Sequence, residues 1–416
     1  MGNSPFRYLL IGLMLLLDFY VFGALKVVTQ SAGPKTRSII FLTYWILSLL
    51  ALLILILLPY LNLDTYSKGL RGVVFAFVLA LFFGKLITAV FLLVDDIRRG
   101  LQWVAGKAFF NNTEGADLQD GDPITRSHFL TWLGLAAGGG LFASLIYGFS
   151  NKYDYQVKRI PLAFKNLPAA FKGLKIVQIS DVHSGSFTDK AAVAAGVDRI
   201  LALQPDLILF TGDLVNNTAD EMTEYIDVFR RLKAPMGVFS VLGNHDYGDY
   251  VQWESRAERD RNLERLKQTH GLLGWRLMQN EHTIFERGGE RIALLGVENW
   301  SAKARFPKYG KLGEAYAGVA GAPFKILMSH DPSHWDAEVV PHYSDIDLML
   351  SGHTHGMQFG IEIPWLKWSP VQYVYRQWAG LYESGSQKLY VNRGFGFIGY
   401  PGRVGILPEI TLIELT

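Results

Sequence analysis

Residues 175–183 read Lys-Ile-Val-Gln-Ile-Ser-Asp-Val-His (KIVQISDVH), and the run changes character part-way along. KIVQIS is a short apolar run of strand length. Asp181-Val182-His183 closes it with two polar groups. The pattern recurs downstream. DLILFT (206–211) is followed by Gly212-Asp213, and GVFSVL (237–242) by Gly243-Asn244-His245-Asp246. Short apolar runs bounded by turn residues read as buried strands. Residues 189–203 and 219–232, between these runs, read as helices. The series strand–helix–strand–helix–strand favours a sheet with right-handed crossovers. Further runs at 292–297, 325–328, 347–350, 388–391 and 409–415 continue the theme. Residues 252–271, rich in Arg, Glu and Lys, read as an exposed helix with a solvated charged face.

Every informative polar group follows one of these strands. To the three motifs above are added Ser329-His330 and Gly352-His353-Thr354-His355-Gly356. In open sheets, sites lie in the crevice beyond the carboxyl ends of strands. Five segments therefore deliver ligands to one sheet edge. The candidate metal ligands are Asp181, His183, Asp213, Asn244, His330, His353 and His355. The chain has no cysteine, so any metal is held by His, Asp, Glu or Asn. Imidazole and carboxylate suit manganese, iron or zinc. Alternation along an extended segment places both residues of Asp-x-His, and both of His-x-His, on one side. Seven ligands exceed what one tetrahedral ion needs. Two divalent metal ions sharing a bridging carboxylate would use them, and such pairs clamp the attacking and leaving oxygens of a displacement at phosphorus. Gly212, Gly243 and Gly352 precede ligands where the backbone must turn sharply or admit a metal closely.

The order D-x-H, G-D, G-N-H-D, H and G-H-T-H closely resembles the calcineurin-like metallophosphoesterases, over residues 173–416. The resemblance implies an α/β fold, a four-layer α/β/β/α sandwich with two metals at one edge. It implies one ion on Asp181, His183, Asp213 and His355, and the other on Asp213, Asn244, His330 and His353, with Asp213 bridging. It also implies two catalytic residues. His245 would stabilise the phosphoryl oxygens or protonate the leaving group, and Asp246 would orient it. Thr125-Arg126-Ser127-His128-Phe129-Leu130 resembles a degenerate twin-arginine signal of the bacterial membrane-anchored branch, with a single arginine. Gly356-Met357-Gln358 departs from the Gly-Gly-Gln common in the family, and Met357 would narrow the pocket beside His355.

The 416 residues are half hydrophobic and only 19% charged, which leans towards a membrane protein. The bias is concentrated in the first 150. Stretches 8–24, 39–60, 73–94 and 129–149 each approach or exceed the roughly 20 apolar residues that cross a bilayer. The expected domains are a four-helix transmembrane region at 1–150 and the metallophosphoesterase domain at 151–416. Asp18 and Lys85 lie inside spans one and three. Lone charges in lipid are costly, so an ion pair between them is expected. Residues 95–126, with Asn, Asp and Gly across 111–122, read as a flexible connector. Loops one and three carry Lys26, Lys35, Arg37, Arg98, Arg99, Lys107 and Arg126. The N-terminus and loop two carry only Arg7, Lys68 and Arg71. The positive-inside rule then places the catalytic domain on the extracytoplasmic face of the inner (plasma) membrane. Lys152, Lys158, Arg159 and Lys165 beyond the last span even out that count.

A net charge of +2 gives no basic surface for nucleic acid. The expected partners are the lipid bilayer and a phosphorylated substrate. The anchor favours a lipid-linked one, such as a phospholipid or a UDP-diacylglucosamine-like glycolipid cleaved at a phosphodiester or pyrophosphate bond. The competing reading is a membrane sensor or scaffold that binds metal or phosphate without turnover; the complete ligand set argues against it. Three weaker features remain. Residues 363–378 (IPWLKWSPVQYVYRQW) combine Trp and Tyr with Lys367 and Arg376, which suits either a membrane interface beside the active site or an ordinary edge hairpin. Arg393 is a candidate for substrate phosphate. His334 fits no ligand slot and reads as structural.

Overall fold

Apolar helices and short buried strands divide this chain cleanly. A computed structural model describes residues 5–61, 66–109 and 126–416. They form two compact units, residues 1–147 and 148–416.

The first unit is helical: α1 (Pro5–Val28), α2 (Pro34–Leu57), α3 (Lys68–Phe109) and α4 (Arg126–Gly148). All four are long and apolar enough to cross a membrane. At 42 residues, α3 is the outlier. It runs about 60 Å, roughly twice a bilayer's hydrocarbon thickness. Residues 95–109, expected as part of a loop, continue this helix. Asp95 and Asp96 hold Arg98 and Arg99 one turn on, so the charged half is stabilised as helix. Residues 111–122 of the expected connector lie outside the described residues, as does Thr125.

Small residues set the packing of α3 on α4. A Cβ on Gly138 would overlap Thr88 Oγ1 and the Gly84 carbonyl, so only glycine permits this approach. Thr88 donates to the Gly84 carbonyl (3.0 Å) and to Gly134 across the interface (3.1 Å). Deeper in the bundle, Lys85 Nζ is paired with Asp18 Oδ1 and bonds Ser48 Oγ at 2.6 Å. All three side chains are buried. Tyr44 closes the group by donating to the Asp18 carbonyl at 2.8 Å. One charge network thus ties α1, α2 and α3 together.

The second unit holds fourteen strands. They are β1 (Gln156–Leu162), β2 (Lys175–Ile179), β3 (Leu207–Phe210), β4 (Val238–Ser240), β5 (Arg276–Leu277), β6 (Glu281–Arg287) and β7 (Glu290–Gly296). There follow β8 (Lys325–Met328), β9 (Leu348–Ser351), β10 (Ile361–Ile363), β11 (Leu366–Trp368), β12 (Gly380–Ser384), β13 (Gln387–Val391) and β14 (Glu409–Leu415). One six-stranded sheet has the order β1-β14-β2-β3-β4-β5, and another β12-β13-β9-β8-β7-β6. The motif-bearing strands pair in parallel, β2 with β3 with β4 and β8 with β9. Their carboxyl ends therefore emerge together.

Both faces of each sheet are covered, which is why these strands are continuously apolar rather than alternating. Ile176, Leu209, Ile326 and Leu350 belong to the core shared by the two sheets. The outer face of the first sheet packs on helix Lys190–Ala202 through Val193, Val197 and Ile200. The second packs on segments carrying Leu312, Ala315, Trp335 and Val339. The result is the expected α/β/β/α sandwich. Residues 219–232 differ from the helix expected there: a 3₁₀ stretch, Ala219–Tyr225, leads into a single α turn, Ile226–Phe229. Glu221 reaches back to the amides of Asn216, Asn217 and Thr218, tightening that first turn.

Breaking the charge network should be worse than removing it. Lys85→Met leaves Asp18 buried and unpaired, and should cost on the order of 3 kcal/mol. Adding Asp18→Leu should recover part of that loss. Thermal unfolding of detergent-solubilised protein in a double-mutant cycle checks this; strictly additive losses would refute the coupling.

Candidate metal centre

The polar motifs occupy the first turns beyond their strands, and the backbone there is unusual. Asp181, His183, Asp213, His353 and His355 all have left-handed conformations, with φ of 53°, 48°, 61°, 72° and 51°. Such conformations cost non-glycine residues about 1–3 kcal/mol each and persist where surroundings over-determine them. Asp-x-His and His-x-His are therefore tight turns, not the extended segments expected. The turn sends the two histidines of His-x-His to different places. Two groups of donors form, Asp181 with His183 and His355, and Asp213 with His330 and His353, each with its donor atoms within 4.8 Å of one another.

The atoms converge closely. His183 Nε2 lies 3.0 Å from His355 Nε2, and His355 Nε2 lies 3.2 Å from Asp181 Oδ1. In the other group, His330 Nε2 lies 3.1 Å from Asp213 Oδ2 and 3.3 Å from His353 Nδ1. Asp213 Oδ2 is also 3.6 Å from His183 Nε2, so one carboxylate stands between the two groups. Glycines make this density possible. A Cβ on Gly352 would overlap Ser180 Oγ and Asp181 Oδ2, and one on Gly243 would overlap Asp213 Oδ1.

Surrounding bonds fix how the His330 and His353 rings face the centre. His330 Nδ1 donates to the Thr211 carbonyl at 2.8 Å, which leaves Nε2 for the centre. His353 Nε2 meets Tyr375 Oη at 2.8 Å, and Tyr375 donates to Asp331 at 3.2 Å, which leaves His353 Nδ1. Burial holds His183, His353 and His355 below the ordinary imidazole range, so they stay neutral. Burial also lowers His330, but the Asp213 charge and hydrogen bond, with Asp181, outweigh it and raise it to about 10. Burial raises Asp181 and Asp213, yet the histidines hold both below the usual carboxylate range. The fold thus calls for positive charge between Asp213 and its neighbours.

The donor set fits two divalent ions. Asn244 Oδ1 is buried without a hydrogen-bond donor among the described residues, while its Nδ2 donates to Tyr250 at 2.8 Å. An unmet buried acceptor costs about 1–3 kcal/mol. Two imidazole nitrogens 3.0 Å apart share at most one proton. Cations satisfy both demands with the N and O donors that such metals prefer.

Residues 174–357 match the calcineurin-like phosphoesterase family, and residues 4–152 match a family described as the probable calcineurin-like phosphoesterase transmembrane domain. An uncharacterized metallophosphoesterase of Bacillus subtilis, YkuE, is 31% identical over 302 residues, which are 70% of this chain and 98% of that protein. The chain belongs to the calcineurin-like metallophosphoesterases. It is accordingly a hydrolase of phosphoric ester bonds with a membrane domain. UDP-2,3-diacylglucosamine pyrophosphatase LpxG of Chlamydia trachomatis is 28% identical over 302 residues, 61% of this chain and 88% of that protein. A zebrafish transmembrane protein with a metallophosphoesterase domain is 28% identical over 280 residues; the match spans 65% of this chain and 60% of that relative.

Two details of this metallophosphoesterase differ from the sequence expectation. Asp246 does not contact the His245 ring. Its carboxylate accepts from four backbone amides: Asp213 (2.9 Å), Leu214 (2.8 Å), Val215 (3.3 Å) and Gly243 (2.8 Å). Burial and the Asp213 charge push this carboxyl up to about 7 against those amides. It is the Asn216 carbonyl that takes His245 Nδ1, at 2.8 Å. Nor is Arg393 available to substrate, because it is buried in ion pairs with Glu409 and Glu362. His334 bonds Ser329 and Glu338 and stacks on Trp300, away from both donor groups.

Three residues were missed from sequence. Tyr375 and Asp331 fix His353, and Arg403 bonds the His355 carbonyl (3.3 Å), its Nδ1 (3.3 Å) and the Arg393 carbonyl (2.7 Å). Only Asp331, adjacent to His330, carried any local signal.

Asp246→Asn tests the four-amide clamp. An amide group would turn N–H towards N–H, so the variant should lose both thermal stability and bound metal, measured by calorimetry and elemental analysis. His245→Ala should keep both, and an Asp246→Asn protein with full metal content would refute the clamp.

Proposed function

We propose that this membrane-anchored enzyme uses two divalent ions to hydrolyse a phosphodiester or pyrophosphate bond of a lipid-linked substrate. One ion would take Asp181, His183, Asp213 and His355. The other would take Asp213, Asn244, His330 and His353. The observation that carries the reading is Asp213 Oδ2, within 3.1 Å of His330 Nε2 and 3.6 Å of His183 Nε2. When bound, the ions supply Lewis acidity towards phosphoryl oxygens and a nucleophilic water near neutral pH. Manganese, iron and zinc all suit this donor set.

The chain's own groups do the rest. Asp246 holds the Asp213 and Gly243 turns in register, so the bridging carboxylate and Asn244 are preorganised. His245 spends Nδ1–H on Asn216, which leaves Nε2; when the ring takes up a second proton there, that N–H would bond a phosphoryl oxygen or pass to the leaving oxygen. A lipid-linked substrate is supported by the four apolar helices in the same chain and by the relative named for UDP-2,3-diacylglucosamine. Counted without the basic residues that follow the last span, the loop charges favour an extracytoplasmic catalytic unit in the inner (plasma) membrane.

Detergent-purified full chain loaded with Mn²⁺ should cleave bis-p-nitrophenyl phosphate, and Asp213→Asn should abolish this. His245→Ala should lower kcat about 10²–10⁴-fold with metal content intact. The lipid reading predicts a higher kcat/KM for UDP-2,3-diacylglucosamine or a phospholipid in mixed micelles than for the soluble ester. Loss of all turnover with both ions bound, on ester and lipid panel alike, would make the unit a binding module.

A further inference from the structure

The small hairpin of β10 and β11 has one apolar and one charged face. Its register pairs Ile361 with Trp368, Glu362 with Lys367 and Ile363 with Leu366. Side chains alternate along a strand, so Ile361, Ile363, Leu366 and Trp368 share one face, and Glu362 and Lys367 share the other. On a water-facing hairpin the polar face turns outward. Here both charged groups have partners in the catalytic unit, although Lys367 as a whole residue is exposed. Glu362 pairs with the buried Arg393, and Lys367 Nζ bonds the Ala379 carbonyl and lies over the Trp378 ring at 4.8 Å. On the apolar face Ile361, Ile363 and Leu366 are all exposed, and Trp368 is half-buried. Trp365 at the turn is 81% exposed, and nearby Tyr373 is 77% exposed, with Val374 beside it.

Inside the second unit, the hairpin's root is joined to Gly148, where that unit begins. Gly360, immediately before β10, donates to the Val404 carbonyl (2.9 Å), and the preceding residue Arg403 donates to the Gly148 carbonyl (2.8 Å). Gly148 is the last residue of α4. Val404 also donates to the Gln358 carbonyl at 2.8 Å, three residues after His355. Within the catalytic unit, backbone bonds therefore join its first residue, the hairpin's root and the loop that follows His355.

We propose that the apolar face of the β10–β11 hairpin is a bilayer-docking surface that sits among lipid headgroups and upper acyl chains. Trp365 and Tyr373 are the residue types that favour this zone, with apolar rings and a polar edge. The Ile and Leu side chains supply the apolar area that interfacial binding requires. Arg376, exposed two residues beyond Val374, suits an anionic headgroup. The Lys367 ammonium, by contrast, is already bonded to the Ala379 carbonyl. A lipid-linked substrate would then meet the metal centre at the surface where its acyl chains already lie. The docking surface itself does not depend on which phosphoric ester is cleaved.

The absence of cysteine allows a direct test on the full chain. Trp365→Cys, labelled with an environment-sensitive fluorophore, is placed in nanodiscs of phosphatidylcholine and phosphatidylglycerol. Glu286→Cys, an exposed position on β6, serves as the control, and Tyr373→Cys as a second reporter. The proposal expects blue-shifted emission at 365 and 373, and loss of that emission when lipids carry a nitroxide near the headgroup, with neither change at 286. Water-like emission at 365 and 373 would overturn it. So would a blue shift without nitroxide quenching, which would mark contact with protein, such as a second copy of the chain.

Discussion

The Asp213 carboxylate stands between two sets of imidazoles at a buried sheet edge, and most of the catalytic unit exists to keep it there. One oxygen faces His330 and His183, and the other accepts the His245 amide at 2.8 Å. Converging this many donors carries a double cost. Five site residues occupy left-handed backbone, and Asn244 Oδ1 meets no donor among the described residues. The parallel strands β2, β3, β4, β8 and β9 are buried on both faces, and that packing supplies the rigidity against which the strain is held. Asp246 completes the support by bonding amides on both the Asp213 and the Gly243 turns.

Much of this was legible because each element states its own local chemistry. KIVQIS, DLILFT and the later apolar runs are strands because both their faces are buried, and burial on both faces leaves an unbroken apolar signature. The ligand motifs were legible because each follows such a run directly. What stayed hidden is non-local. Arg403 reaches His355 from 48 residues away and Tyr375 reaches His353 from 22, and neither sequence neighbourhood announces a target. Adjacency misled for Asp246, since a side chain next to His245 need not face it. Strands β1, β5, β6 and β12 are short or partly exposed, so their mixed composition gave no strand signature. Aspartates one turn before arginines made a helix of residues 95–109, where charge alone suggested a loop.

Charge placement follows one logic in both units. Buried charges are paired and their partners satisfied, as Lys85 is by Asp18 and Ser48, and Arg393 by Glu409 and Glu362. The β10–β11 hairpin keeps to that logic while reversing the usual surface pattern. Its charged groups have partners in the catalytic unit even though Lys367 is exposed, and its other face is apolar and exposed. Sequence composition alone left that segment open between an interface and an ordinary edge hairpin; the register decides which face is which.

The central claim is that Asp213 joins two metal ions into one centre. Electron paramagnetic resonance of the full chain loaded with Mn²⁺ tests it most directly, alongside the metal content. The account predicts two manganese ions per chain and the spectrum of an exchange-coupled pair, replaced in Asp213→Asn by the signal of isolated ions. A single ion per chain, or two with the uncoupled spectrum of isolated Mn²⁺ in the unaltered protein, would contradict it.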